Sequence, residues 1–92
     1  MKKIKILAQT FDIIEKPVIE LGQPLLGQVD HVKNKIYLFS ELPNERKKVV
    51  LIHEILHSIF EQLGFNDEHD NEHLIDCLAT SLYQVVKDND LI

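Results

Sequence analysis

The 92-residue sequence contains few of the residues that several classes of protein depend on. Its one cysteine, Cys77, cannot form an internal disulfide, which favours a reducing compartment. It has no tryptophan and only three glycines and three prolines, and it shows no internal repeat. No apolar run approaches the roughly 20 residues that a membrane-spanning helix needs, so we expect no membrane segment.

Positive charge is also scarce, with 10 lysines and arginines against 15 aspartates and glutamates and a net charge of −5. The densest cationic cluster is Arg46-Lys47-Lys48, and without a basic stripe we expect no nucleic-acid partner. The apolar stretch near the N-terminus is short and interrupted by Lys5, which argues against a signal peptide. These features predict a cytoplasmic protein with a single domain over residues 1–92.

The spacing of apolar residues predicts an α+β fold. Alternation over residues 3–8, 11–15, 28–32 and 35–39 indicates strands, and Lys33-Asn34 suits a hairpin turn. A loop is expected over residues 16–26. Apolar residues recur every 3.6 positions from about Pro43 to Leu63 and from about His69 to Lys87, which indicates two helices. We therefore expect a small antiparallel sheet packed on two helices.

Residues 53–57 read His-Glu-Ile-Leu-His, an HExxH motif within the first predicted helix. Positions i and i+4 share one face of a helix, so His53 and His57 can offer two nitrogens to one metal ion. Glu54 lies beside them, where it could take a proton from a water activated by the metal. Chance would give roughly 0.02 such motifs in a chain of this composition. Burying these groups in an apolar helix is costly unless a metal satisfies them.

A third ligand must come from elsewhere, because a catalytic zinc has three protein ligands and keeps one position for water. Residues 71–76 read Asn-Glu-His-Leu-Ile-Asp, which places Glu72 and Asp76 one turn apart on the second helix. Glu72 could then bind the metal while Asp76 accepts the outer N–H of a ligand histidine. His69 is expected to be solvated, and Cys77 to be a small core residue. The candidates for the third ligand are His69, Asp70, Glu72, His73 and Asp76.

An HExxH motif followed by a helical E-x-x-x-D resembles the gluzincin metallopeptidases. The order of elements over residues 27–86 is closer still to the ImmA/IrrE-like small metallopeptidases of phages, mobile elements and bacteria. This resemblance implies a minimal zincin-like fold in which His53, His57 and Glu72 hold Zn²⁺. It also implies that Asp76 supports a histidine and that Glu54 is the catalytic base. The sequence departs from the family at Leu56, where the family often has glycine.

The motif and the resemblance together predict a zinc-dependent metallopeptidase whose substrate is a peptide or protein. By resemblance, that substrate is a regulatory protein such as a mobile-element repressor. The alternative is a non-catalytic zinc-binding or protein-interaction module that keeps the fold, although the intact Glu54 favours the enzyme. Peptide hydrolysis also needs a donor for the developing oxyanion, and His31 and Tyr37 are candidates for that contact or for contacting substrate.

Overall fold

A computed structural model describes residues 2–19 and 25–90 and confirms the α+β class. Part of the loop predicted over residues 16–26, namely residues 20–24, lies outside the described residues. No helix in the described part of the chain is long and apolar enough to cross a membrane. The strands and helices are β1 (Lys2–Ile6), β2 (Gln9–Lys16), β3 (Gly27–Asp30), β4 (Lys35–Phe39), α1 (Asn44–Leu63), α2 (Asn66–His69) and α3 (Glu72–Asn89).

The sheet is mixed, so the prediction of a wholly antiparallel sheet is wrong. β1 with β2 and β3 with β4 form antiparallel hairpins, but β2 and β4 are parallel, and the order is β1-β2-β4-β3. β4 carries Ile36 and Leu38, which are 0% and 4% exposed. The most apolar strand therefore occupies a central position, and the less apolar β3 is left at the edge.

The predicted hairpin between β3 and β4 is confirmed, although its turn is longer than the two residues expected. The Asp30 side chain accepts hydrogen bonds from the amides of Val32 and Lys33, at 3.0 and 2.9 Å. Asn34 adopts a φ of 54°, a left-handed conformation that asparagine tolerates. His31 therefore belongs to the turn, and its ring packs edge-on against Phe11.

Helix α1 lies between the sheet and α3. Its bounds confirm the prediction, since Pro43 precedes its first residue and Gly64 ends it at a φ of 79°. One face packs on a core of Ile6, Phe11, Ile36 and Leu38. The opposite face packs on α3, with Leu56, Ile75 and Ala79 buried between the two helices. The HExxH motif therefore lies close to both neighbouring layers.

The second helix, predicted from about His69 to Lys87, is confirmed as α3, which begins three residues later, and the single turn α2 precedes it. The Asn71 side chain accepts the Leu74 amide at 3.0 Å and so caps α3, which begins at Glu72. At the other end of α3, Lys87 pairs with Glu45 in the first turn of α1, so the two helices are antiparallel. Cys77 is exposed on α3, and its prediction as a core residue is wrong.

Candidate metal centre

Two histidines of α1 and the first residue of α3 bring their ligand atoms together. The Nε2 atoms of His53 and His57 lie 3.1 Å apart. The carboxylate of Glu72 lies 3.0 Å from the Nε2 of His53 and 2.8 Å from the Nε2 of His57. A tetrahedral zinc ion with ordinary bond lengths has ligand atoms about 3.3 Å from one another. The three side chains are therefore spaced for coordination of one small ion.

The charges in this cluster favour a cation. Asp76 lies 2.8 Å from the Nδ1 of His53, which therefore donates to the carboxylate and leaves a lone pair on Nε2 when the ring is neutral. That lone pair faces the Glu72 carboxylate and the second imidazole. Burial lowers the pKa of His57, which favours its neutral, ligating form. Two imidazoles and one carboxylate are a donor set that suits zinc, so the residues present fit this ion.

Glu54 is buried beside the cluster, with 6% of its surface exposed. Its Oε2 lies 4.0 Å from the Nε2 of His53. Burial raises the pKa of Glu54 to about 8, and the negative charges of Glu72 and Asp76 add to this effect. A nearby cation would lower that pKa again. A carboxyl group with a pKa in this range can both take and return a proton near neutral pH.

Gly27 allows the edge strand β3 to approach Glu54 closely. A Cβ atom at this position would lie 2.6 Å from the side chain of Val50 and 3.0 Å from Oε2 of Glu54. Only glycine leaves room for this contact. Sequence reasoning missed Gly27, although a glycine at the start of a strand is a signal of close backbone approach.

A cavity of about 350 Å³ opens over the three ligand side chains and Glu54. The residues of β3 from Gly27 to Val29 line one side of it, and the HExxH motif lines the other. Since β3 is an edge strand of the described sheet, half of its backbone groups are not used in strand pairing. The cavity therefore combines the candidate ligands, a buried carboxyl group and a strand edge.

The two candidates for oxyanion contact are placed differently. His31 lines the cavity, and its Nε2 is buried without a hydrogen-bond partner among the described residues. Tyr37 lies between the two β4 residues that face α1, so its side chain extends from the opposite face of the sheet. There the Lys16 ammonium lies 4.6 Å from the centre of its ring. The structure brings His31 to the site and does not bring Tyr37.

His69 lines the cavity, contrary to its prediction as a solvated residue. Its Nδ1 lies 3.3 Å from the Nδ1 of His57 and 3.0 Å from the His57 carbonyl oxygen. The rings of His53, His57, His69 and His31 form a row with centroid separations of 4.8, 4.9 and 5.9 Å. No sequence signal indicated this position, because it depends on how α2 folds back towards α1.

No family model, curated protein or solved structure matches this chain. The resemblance to the ImmA/IrrE-like metallopeptidases therefore stays a prediction from the motifs in residues 53–57 and 72–76. The geometry of the side chains around the cavity carries the functional interpretation instead.

Proposed function

We propose that this protein is a zinc-dependent metallopeptidase. The observation that carries the proposal is the convergence of His53, His57 and Glu72, whose ligand atoms, one from each residue, all lie within 4.8 Å of one another. Three protein ligands with an adjoining cavity are typical of a catalytic rather than a structural zinc site. When bound, zinc would lower the pKa of a coordinated water and polarise a substrate carbonyl.

Glu54 acts as the general base and then as the general acid. Its buried carboxyl group lies beside the ligand atoms, and the close approach of Gly27 limits the access of bulk water. It takes the proton of the attacking water and returns it to the leaving amine. Asp76 holds His53 in the tautomer that leaves Nε2 free for ligation.

The substrate is an extended peptide that lies along β3. This strand borders the cavity, and one edge of it pairs with no other strand among residues 2–19 and 25–90, which suits recognition by strand addition. With its proton on Nε2, His31 donates a hydrogen bond to a substrate carbonyl oxygen, which satisfies an otherwise unpartnered buried atom. The family resemblance adds the proposal that the substrate is a regulatory protein, such as a mobile-element repressor. It also adds the proposal that this chain is itself encoded by a phage or mobile element. The free thiol of Cys77 supports a cytoplasmic location.

The metal content of the purified protein tests the site, and hydrolysis of a peptide library tests the activity. We expect about one zinc per chain in the wild type and loss of that zinc in Glu72→Ala, because only two ligands then remain. Glu54→Gln should retain the metal and lose hydrolysis, because an amide cannot accept the proton. Glu61→Gln, an exposed change on the same helix, is the matched control and should leave both unchanged.

Three results would contradict parts of the proposal. A wild-type protein that takes up no added zinc would exclude the metal centre. Equal hydrolysis by Glu54→Gln and the wild type would exclude Glu54 as the base. Full zinc binding without cleavage of any library peptide would favour the alternative, a non-catalytic zinc-binding module.

A further inference from the structure

We infer that His69 is a positioning residue for the ligand His57, in the way that Asp76 is for His53. The inference rests on the proposed zinc site. The two ligand histidines differ in the group that contacts their outer nitrogen. A carboxylate oxygen lies 2.8 Å from the Nδ1 of His53, whereas an imidazole nitrogen of His69 lies 3.3 Å from the Nδ1 of His57.

His69 acts on His57 by determining which ring nitrogen of His57 carries the proton. A neutral histidine that binds a metal through Nε2 carries its proton on Nδ1. That N–H needs an acceptor, and the Nδ1 of His69 is within hydrogen-bonding distance of it. By accepting this hydrogen bond, His69 holds His57 in the tautomer whose Nε2 lone pair faces Glu72 and His53.

The second contact of His69 competes with the first. Its Nδ1 also lies 3.0 Å from the His57 carbonyl oxygen, to which it donates when it carries the proton. It can accept from His57 only when its own proton is on Nε2. The His57 carbonyl lies inside α1 and accepts an amide of the following turn, so it loses little when His69 stops donating. Metal binding by His57 and acceptance of the His57 hydrogen bond by His69 therefore favour each other.

Helix α2 places the His69 ring at this position. The amides of His69 and Asp70 donate to carbonyls of Phe65 and Asn66, at 2.9 and 3.0 Å, and so close the single turn. The ring then packs at steep angles against His57 and His31. A ring held in this way is already oriented to accept the hydrogen bond from His57, which reduces the entropy lost in forming the contact.

His69 is not a fourth ligand to the same ion. His69 contacts the Nδ1 of His57, whereas the other two candidate ligands, His53 and Glu72, lie near the Nε2 of His57. The two nitrogens of an imidazole point in different directions, so one ion cannot occupy both positions. The role of His69 is to orient a ligand, and we expect its removal to weaken metal binding without abolishing it.

Zinc affinity, measured by competition with a chelator, tests this role. We expect His69→Ala to bind zinc about 10-fold to 100-fold more weakly than the wild type. His69→Asn places a side-chain oxygen near the Nδ1 position and should restore most of the affinity. His69→Gln reaches instead to the Nε2 position and should not restore it. His73→Ala, an exposed change on α3, is the control and should bind zinc as the wild type does.

Nitrogen-15 NMR of the zinc-loaded protein gives an independent readout. We expect the wild type to show His57 protonated on Nδ1 and His69 protonated on Nε2. Unchanged zinc affinity in His69→Ala would overturn the role of His69 and leave the metal site standing. Equal recovery by the asparagine and glutamine variants would overturn the role of its Nδ1, and this comparison still decides the matter if the alanine variant fails to fold. A wild-type protein that binds no zinc would overturn both proposals.

Discussion

The two faces of α1 differ in how completely they are buried. On the sheet side, Phe11 and Ile36 are 1% and 0% exposed within an apolar core. On the other side, the buried cluster consists of Leu56 of α1 with Ile75 and Ala79 of α3, and the outer apolar residues of α3 remain about half-exposed. The sheet side therefore supplies most of the apolar burial, whereas the α3 side holds the candidate ligand Glu72 and Asp76, which contacts His53. We expect docking of α3 and metal binding to depend on each other.

The largest effect on stability should come from truncating the buried isoleucines. Comparing the two truncations should distinguish the contributions of the two faces of α1. Ile36→Ala and Ile75→Ala remove the same atoms from sites that are both 0% exposed, and each should cost about 2–5 kcal/mol. Ile36→Ala should destabilise the whole domain. Ile75→Ala should detach α3 before the rest of the domain unfolds, and it should weaken zinc binding more than Ile36→Ala does. Denaturant unfolding, hydrogen exchange of the β4 amides and zinc titration measure the difference. Equal protection of β4 in the two variants would contradict it.

A second effect concerns the metal-free protein, in which the buried Glu54 makes stability depend on pH. Its pKa in the folded state is about 8 against an ordinary value of 4.5. Its contribution to stability is therefore full below pH 4.5 and is lost as pH rises towards 8. Since each pKa unit corresponds to about 1.4 kcal/mol, we expect a loss of a few kcal/mol over this range.

Urea unfolding in the presence of a chelator, repeated across this pH range, measures the loss. Glu54→Gln should flatten the pH dependence, because an amide does not ionise. Glu61→Gln is exposed and should retain the slope of the wild type. The same slope in Glu54→Gln would show that another group causes the dependence.

A smaller effect should follow from filling the contact between β3 and α1. Gly27→Ala places a methyl group 2.6 Å from Val50 and 3.0 Å from Glu54, and overpacking of this kind costs about 1–3 kcal/mol. Because the candidate ligands lie on α1 and α3, zinc binding should change less than peptide hydrolysis. Gly64→Ala is the control: its φ of 79° makes alanine unfavourable by about 1 kcal/mol, but open space surrounds it. Unchanged hydrolysis in Gly27→Ala would show that β3 does not confine Glu54.

The smallest effect should come from the cap of α3. Asn71→Ala removes the acceptor for the Leu74 amide and should cost about 1 kcal/mol. Because the first turn of α3 carries Glu72, zinc affinity should also fall. Asn71→Ser should recover both properties, since serine caps helices about as well as asparagine. Asn89→Ala removes a side-chain contact at the far end of α3 and should leave zinc affinity unchanged. Zinc titration and thermal unfolding of the three variants measure these changes.

Features that depend on neighbouring residues could be predicted from the sequence. The bounds of α1 follow from Pro43, Gly64 and the apolar period between them, and the placing of His53 and His57 on one face follows from their spacing. Glu72 and Asp76 are four residues apart, so their spacing likewise places both on one face of α3. The α+β class could be predicted from the patterns of alternation and period.

The tertiary structure decided the features that depend on contacts between distant segments. β4 pairs in parallel with β2, and its central position in the sheet buries Ile36 and Leu38. The same packing directs Tyr37 away from the cavity and lets Gly27 approach Glu54. The contact between His69 and His57 depends on the single turn of α2. Thus the sequence by itself determined the spacing of chemical groups along each helix, because local backbone geometry sets it. Packing of the whole chain decided which groups from different segments come into contact.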